Sequence, residues 1–203
     1  MPERSYHHGN LRSALLERAW DVVDSGGVEG LSLRSIARDL EVSHGASARH
    51  FRDRQALLDA LAVEGFARLN AALEESADAE ETFAGRLEAA GQAYISFAVA
   101  HPGILGVMYT AKHHPEASAE LAEASHAGMS GLIALVEAGQ AAGEAREGDA
   151  AQLALIAFAA VHGVAMLSTD DLLDGVGPED AARAVLGFLT EGLRTSSTTP
   201  ITG

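Results

Sequence analysis

An all-helical fold, with a small three-helix head followed by a larger helical body, is what the sequence predicts. Three observations lead there. Apolar residues recur three and four positions apart in about nine separate segments, whereas no segment alternates apolar with polar residues or sets a hairpin dipeptide between β-branched runs. Glycine, proline and capping residues punctuate those segments at helix-like intervals. Charge also divides the chain. The whole carries 29 acidic and 14 basic residues, a net charge of -15. Residues 1–54 hold eight arginines against eight acids and are neutral, so the entire -15 falls on residues 55–203. The expected division is therefore an arm and head at 1–54, a body at 55–195 and a polar tail at 196–203.

Residues 1–10 read as a polar arm bearing Arg4, His7 and His8. Leu11, Leu15, Leu16, Ala19, Val22 and Val23 then define a first amphipathic helix over 10–25, with Asn10 as its cap and Gly26-Gly27 as its stop. Residues 31–51, LSLRSIARDLEVSHGASARHF, read as two short helices around a tight turn. Ser32 caps the first, whose apolar face is Ile36, Ala37 and Leu40; Glu41-Val42 makes the turn and Ser43 caps the second. Until Phe51 that second helix offers only polar or small side chains. A helix so composed does not build a core, and this pairing is the helix-turn-helix pattern that enters a DNA major groove.

Asp53 caps a fourth helix running to about Glu75 through Leu57, Leu61, Phe66 and Leu69, with a break expected in the acidic stretch 74–81. A fifth helix passes Phe83, Leu87 and Tyr94 and stops at His101-Pro102, because proline disfavours helical geometry in the residue before it. Pro102 opens a short sixth helix over 103–109, and Pro115 is expected to open the seventh, toward Gly139. Asp149 starts an eighth, apolar on nearly all sides, and Gly177-Pro178 starts a ninth. A helix apolar all round must be covered all round. The eighth and ninth helices are rich in Ala and Gly, so they are expected to pair with their mates in a homodimer's four-helix bundle.

Several function classes fall away. Without cysteine there is no disulfide framework, thiolate metal site or cysteine nucleophile, which fits a reducing cytoplasm. The N-terminus has no signal-peptide core. The longest apolar run, 153–167, is interrupted by His162-Gly163 and is shorter than the ~18 residues of a membrane span. His101, His113, His114 and His126 raise the idea of a metal sensor, but no HExxH or paired-carboxylate spacing accompanies them. No nucleotide-binding glycine loop or nucleophile elbow is present. The reading is of a cytoplasmic, non-enzymatic protein without cofactor or metal.

On the second short helix, Arg49, with Arg34 from the first, has the donor fork to read guanine or grip phosphate, and His44 and His50 can donate to phosphates. Ala46 and Ala48 can touch thymine methyls. In the body, Tyr94, Phe97, Ile104, Met108, Tyr109, Phe158, His162 and Met166, with Phe66 beside them, fit an apolar pocket with few polar groups. The same spacing equally describes plain core.

The strings YHHGNLRSALLERAWDVV, LSLRSIARDLEVSHGASARHF and DRQALLDALA together resemble the DNA-binding head of TetR/AcrR transcriptional regulators over residues 6–66. HPGILGVMY and AAVHGVAML resemble the subgroup with a W-x-H-G motif, Ala160 standing where the tryptophan would be. The resemblance implies a homodimeric repressor, released from a near-palindromic double-stranded operator by a small-molecule effector. It places Arg34, Ser43, His44, Gly45, Ala46, Ala48, His50 and Arg54 at DNA-contact positions. The family usually has glycine at Glu41, a larger apolar residue at Ser47 and tyrosine at Ala48. Two other readings are a dimeric small-molecule-binding protein that has lost DNA recognition and a helical enzyme using His162.

Overall fold

The computed structural model describes residues 8–195. Nine α-helices and one 3-10 turn occur among them: α1 His8–Gly26, the 3-10 turn Val28–Gly30, α2 Leu33–Asp39, α3 His44–Ala48, α4 Arg54–Asp78, α5 Phe83–Ala100, α6 Pro102–Ala111, α7 Ala119–Ala141, α8 Ala150–Thr169 and α9 Pro178–Leu193. No β-strand forms among the described residues, whose sole β-type pairing is a bridge between Ala145 and Arg194. The expected arm lies almost wholly outside the described residues, as does the tail.

Caps account for most helix starts. Ser32, Ser43 and Asp149 each accept a hydrogen bond from the backbone N–H three residues on, and Asp53 accepts from Ala56 N at 2.8 Å. Four boundaries differ from the sequence reading. Helix α1 begins at His8 and contains Asn10, so Asn10 is not its cap. Helix α4 continues into the acidic stretch as far as Asp78, since Glu and Ala favour a helix without any apolar stripe. Helix α6 spans Pro102–Ala111, longer at both ends. Helix α7 does not open at Pro115, which lies in a turn. Its cap is Ser118, whose Oγ accepts from Leu121 N at 3.0 Å while its own N–H donates to Asp59 at 3.1 Å.

The described chain forms two compact units that do not follow chain order: residues up to Ala67 with His101–Ser125, and Arg68–Ala100 with His126 onward. In the first, α1 lays Leu15, Ala19 and Val23 against the head, and Ile36, Phe51, Leu57 and Leu61 complete a dry core. Helix α6 seats directly on α1. A Cβ on Gly103 would lie 2.5 Å from the Val23 carbonyl oxygen, so only glycine permits the approach. Beside it His101 Nδ1 is 3.0 Å from both Asp24 carboxylate oxygens, and the His101 ring meets Trp20 edge-on at 5.4 Å.

In the second unit α5, α8 and α9 pack on one another. Gly91 of α5 leaves room for the Leu186 side chain of α9. Phe83 N donates to the Glu144 carboxylate at 2.6 Å, a cap for α5 supplied from 61 positions away. Helix α8 has the length and apolar composition of a membrane span, so the length argument against one does not hold. Its packing is unusual. It buries small residues, Ala154, Ala157, Val161, Val164 and Ala165, and exposes large ones, Leu155, Ile156, Met166 and Leu167.

Candidate nucleic-acid interface

Helices α1, α2 and α3 pack into a three-helix head. After α2 the chain reverses in a Schellman turn: Val42 N donates to Ala37 O at 2.9 Å and Glu41 N to Arg38 O at 3.1 Å. That geometry puts Glu41 at φ 57, a left-handed conformation that strains a residue bearing a Cβ. Glu41→Gly is expected to raise stability by up to about 1 kcal/mol, part of the relief being returned as unfolded-chain entropy. Chemical denaturation of the two proteins measures it, and a less stable variant would show that the glutamate side chain contributes something the backbone does not reveal.

Helix α3 is only five residues long. Ser47 is its fully buried position, and its hydroxyl donates to His44 O at 2.9 Å, which satisfies the buried group. Its placement explains the departure noted in the sequence: a small side chain here lets α3 sit close on the head. Ser43, His44, Gly45, Ala48 and Arg49 are exposed, and Ala46 and His50 are half-buried. A Cβ at Gly45 would meet nothing within 4 Å. This face is thus flat and sterically open. Phe51 is buried, with the Arg12 guanidinium 5.3 Å above its ring.

The head arginines divide by what holds them. Arg18 donates twice to Asp39, through Nε at 3.1 Å and Nη2 at 2.9 Å. Arg38 lies 3.9 Å from the same carboxylate, and Arg52 pairs with Asp53 at 3.1 Å and Glu116 at 3.7 Å. Arg54 donates from Nε to Leu31 O at 3.0 Å and from Nη2 to Val28 O at 2.7 Å. Among the described residues, Arg34 and Arg49 are exposed and have no ion pair, hydrogen bond or ring contact. They are the head's available guanidinium groups.

Asp53 is the one carboxylate with a clearly displaced titration. The Ala56 N–H that it caps, aided by Arg52, holds its pKa below the ordinary value. A depressed folded-state pKa contributes stability that is present above the unfolded value and lost as pH falls through the folded one. Asp53→Ala is therefore expected to lower the melting temperature at pH 7 and to converge on the wild type as pH falls below the carboxylate range. A gap that persists unchanged in acid would deny the cap its charge-dependent part.

The residues expected to hold a ligand fall into two groups. In the first unit, Phe66 meets Tyr109 edge-on at 6.0 Å, Ile104 and Met108 are fully buried, and Lys112 Nζ stands 4.6 Å over the Tyr109 ring. Burial pushes the Lys112 pKa down. In the second unit, the Tyr94 hydroxyl and His162 Nδ1 are 2.8 Å apart, the imidazole tautomer deciding which donates. His162 stacks on Phe158 at 5.3 Å and Tyr94 meets Phe158 edge-on at 6.0 Å. Phe97 is half-buried and Met166 is exposed. A surface depression of about 240 Å3, lined by Glu88, Gln92, Glu179, Arg183 and Leu186, includes none of the expected residues. No group of three or more metal-ligating side chains occurs among the described residues.

Sequence reasoning missed the Arg54 grip, the Asp24–His101 contact and the buried Ser47. The first two join residues 23 and 77 positions apart. The third had a signal, the unusual residue in a fixed motif.

Residues 15–61 match the family model described as "Bacterial regulatory proteins, tetR family", and residues 87–191 match "Tetracyclin repressor-like, C-terminal domain". No curated protein matches the chain. Among solved structures, a protein with unknown function from Rhodococcus sp. RHA1 is 46% identical, with a TM-score of 0.89 over 95% of this chain and 100% of that one. A TetR family transcription regulator from Marinobacter aquaeolei VT8 has 15% identity and a TM-score of 0.72, covering 93% and 97%. A bacterial regulatory protein in the tetR family from Rhodococcus RHA1 has 20% identity and a TM-score of 0.71, covering 91% and 97%. The last two likenesses concern the fold.

Proposed function

Since the chain belongs to the TetR family and is a DNA-binding transcriptional regulator, we propose that it is a homodimeric, cytoplasmic repressor that a small apolar molecule releases from a near-palindromic operator. The observation that carries the DNA half of this reading is the exposed, unpaired Arg49 on a small-faced, Ser43-capped α3, with Arg34 equally free on α2. Arg49 and Arg34 read base edges or grip phosphates, and His44 and His50 donate to phosphates. Ser43, Gly45, Ala46 and Ala48 let the helix approach the groove floor. The acidic remainder of the chain faces away from the duplex, because a charge of -15 against phosphate would repel it.

The second copy docks through α8 and α9. Leu155 and Ile156 are 56% and 52% exposed and Phe188 of α9 is 79% exposed. An apolar surface of that extent on one chain supports an interface. The effector binds near Tyr94, Phe158 and His162, whose hydroxyl and imidazole are the polar handles of an otherwise apolar neighbourhood. Helix α4 begins in the first compact unit and ends in the second, so it is the covalent path from effector to head. Two heads must meet major grooves ~34 to 36 Å apart or a multiple of that, and an effector that favours another spacing releases the site.

Selection of bound duplexes from a random DNA pool tests the reading, followed by a screen for small molecules that release the best duplex. Enrichment of a palindrome is expected. A pool without enrichment at any salt concentration would leave a small-molecule-binding dimer as the better account.

A further inference from the structure

Arg54 stands at a position where the family resemblance puts a DNA contact, yet two of its guanidinium nitrogens are already committed. Nε donates to Leu31 O at 3.0 Å and Nη2 to Val28 O at 2.7 Å. We propose that Arg54 is a positioning residue, a pin that fixes the segment leading into the helix-turn-helix, and that it does not grip phosphate. The proposal rests on the reading that this head binds DNA.

Three features support it. The pinned segment is poor in constraints of its own: it enters through Gly26-Gly27, with Gly27 at φ 75, and turns through the three-residue helix Val28–Gly30. Within it Leu31 N reaches Val28 O only at 3.3 Å. Leu31 itself is buried and Ser32, the next residue, caps α2, so the position of this segment sets the start of the helix-turn-helix. The second feature is shape. One planar guanidinium spans two carbonyls three residues apart, a grip that the single point charge of a lysine ammonium does not reproduce. Third, Arg54 is the first residue of α4, where a cation faces the positive end of the helix dipole. The charge is unfavourable to the helix, and the two charge-assisted hydrogen bonds are what offset it. Through them α4 is tied to the segment that precedes α2, so a shift of α4 would be felt at the reading helices.

Full-length Arg54→Lys and Arg54→Gln are the test, each first shown to be folded by circular dichroism. Lysine keeps the charge that a phosphate contact needs and loses the fork. Amide hydrogen exchange at residues 28–33 is expected to quicken about tenfold in Arg54→Lys. Affinity for the selected duplex is expected to fall about tenfold, the size of one or two charge-assisted hydrogen bonds. The slope of log K against log salt should stay at the wild-type value in both variants. Wild-type exchange and wild-type affinity in Arg54→Lys would overturn the proposal, as would a slope shallower by about 0.9 in Arg54→Gln, the signature of one lost phosphate contact. A wild-type protein that selects no duplex overturns the DNA-binding reading instead, and the exchange measurement then decides the pin by itself.

Discussion

Phe188→Glu is expected to turn the dimer into a monomer and to abolish binding to a full palindromic site. The side chain is 79% exposed on a single chain, so the substitution removes little from the fold of either copy. In a two-fold interface the same change enters twice. Each glutamate must then either be buried without a partner, at a cost of several kcal/mol, or hold the surfaces apart. Every 1.4 kcal/mol is about tenfold in the dimer constant, so the shift takes the equilibrium through any ordinary working concentration. Sedimentation equilibrium reads the mass, and a melt of the dilute variant checks the fold. A variant that stays dimeric and binds the operator as tightly as wild type would place the interface away from this face of α9.

The other large effect is expected from Arg49→Ala, with operator affinity lower by roughly 5- to 150-fold per head, corresponding to the ~1 to 3 kcal/mol of a good bidentate base contact. The case for Arg49 over its neighbours is one of availability. Arg18, Arg52 and Arg54 would each have to give up a partner before meeting DNA, whereas Arg49 has none to give up among the described residues. Fluorescence anisotropy at several salt concentrations separates the two ways in which it can act. Loss with an unchanged slope and relaxed sequence preference means base reading, and a slope shallower by about 0.9 means phosphate. Affinity equal to wild type at every salt concentration would remove Arg49 from the interface.

What could be read from the sequence was local. Ser32, Ser43, Asp53 and Asp149 announce helix starts because a cap and the N–H that it satisfies lie three residues apart. The positive φ at Glu41 follows from the tightness of the turn, and the structure has it. The reading failed where a distant group decides. Pro115 is a good first residue for a helix, but α7 waits for Ser118, whose backbone is held by Asp59 of α4. The break expected at the acidic stretch came from looking for an apolar stripe, which a solvated helix end does not need. The site shows the same limit. That α3 bears Arg49 follows from the sequence, but which arginines are free depends on Asp39, Glu116 and two backbone carbonyls that no spacing reveals.

The seating of α6 on α1 bears on how such a protein is cut and recombined. Gly103 packed against the Val23 carbonyl, with His101 on Asp24, makes residues 101–125 part of the same compact unit as the helix-turn-helix. The DNA-reading module is therefore discontinuous in the gene, and a fragment ending after residue 67 would present bare apolar surface where α6 belongs. A chimera that grafts a foreign head onto this body, as biosensor builders do to redirect an effector response to a new promoter, has to carry the matching α6 surface with it. A seam drawn by chain order alone would join two halves that were never separate parts.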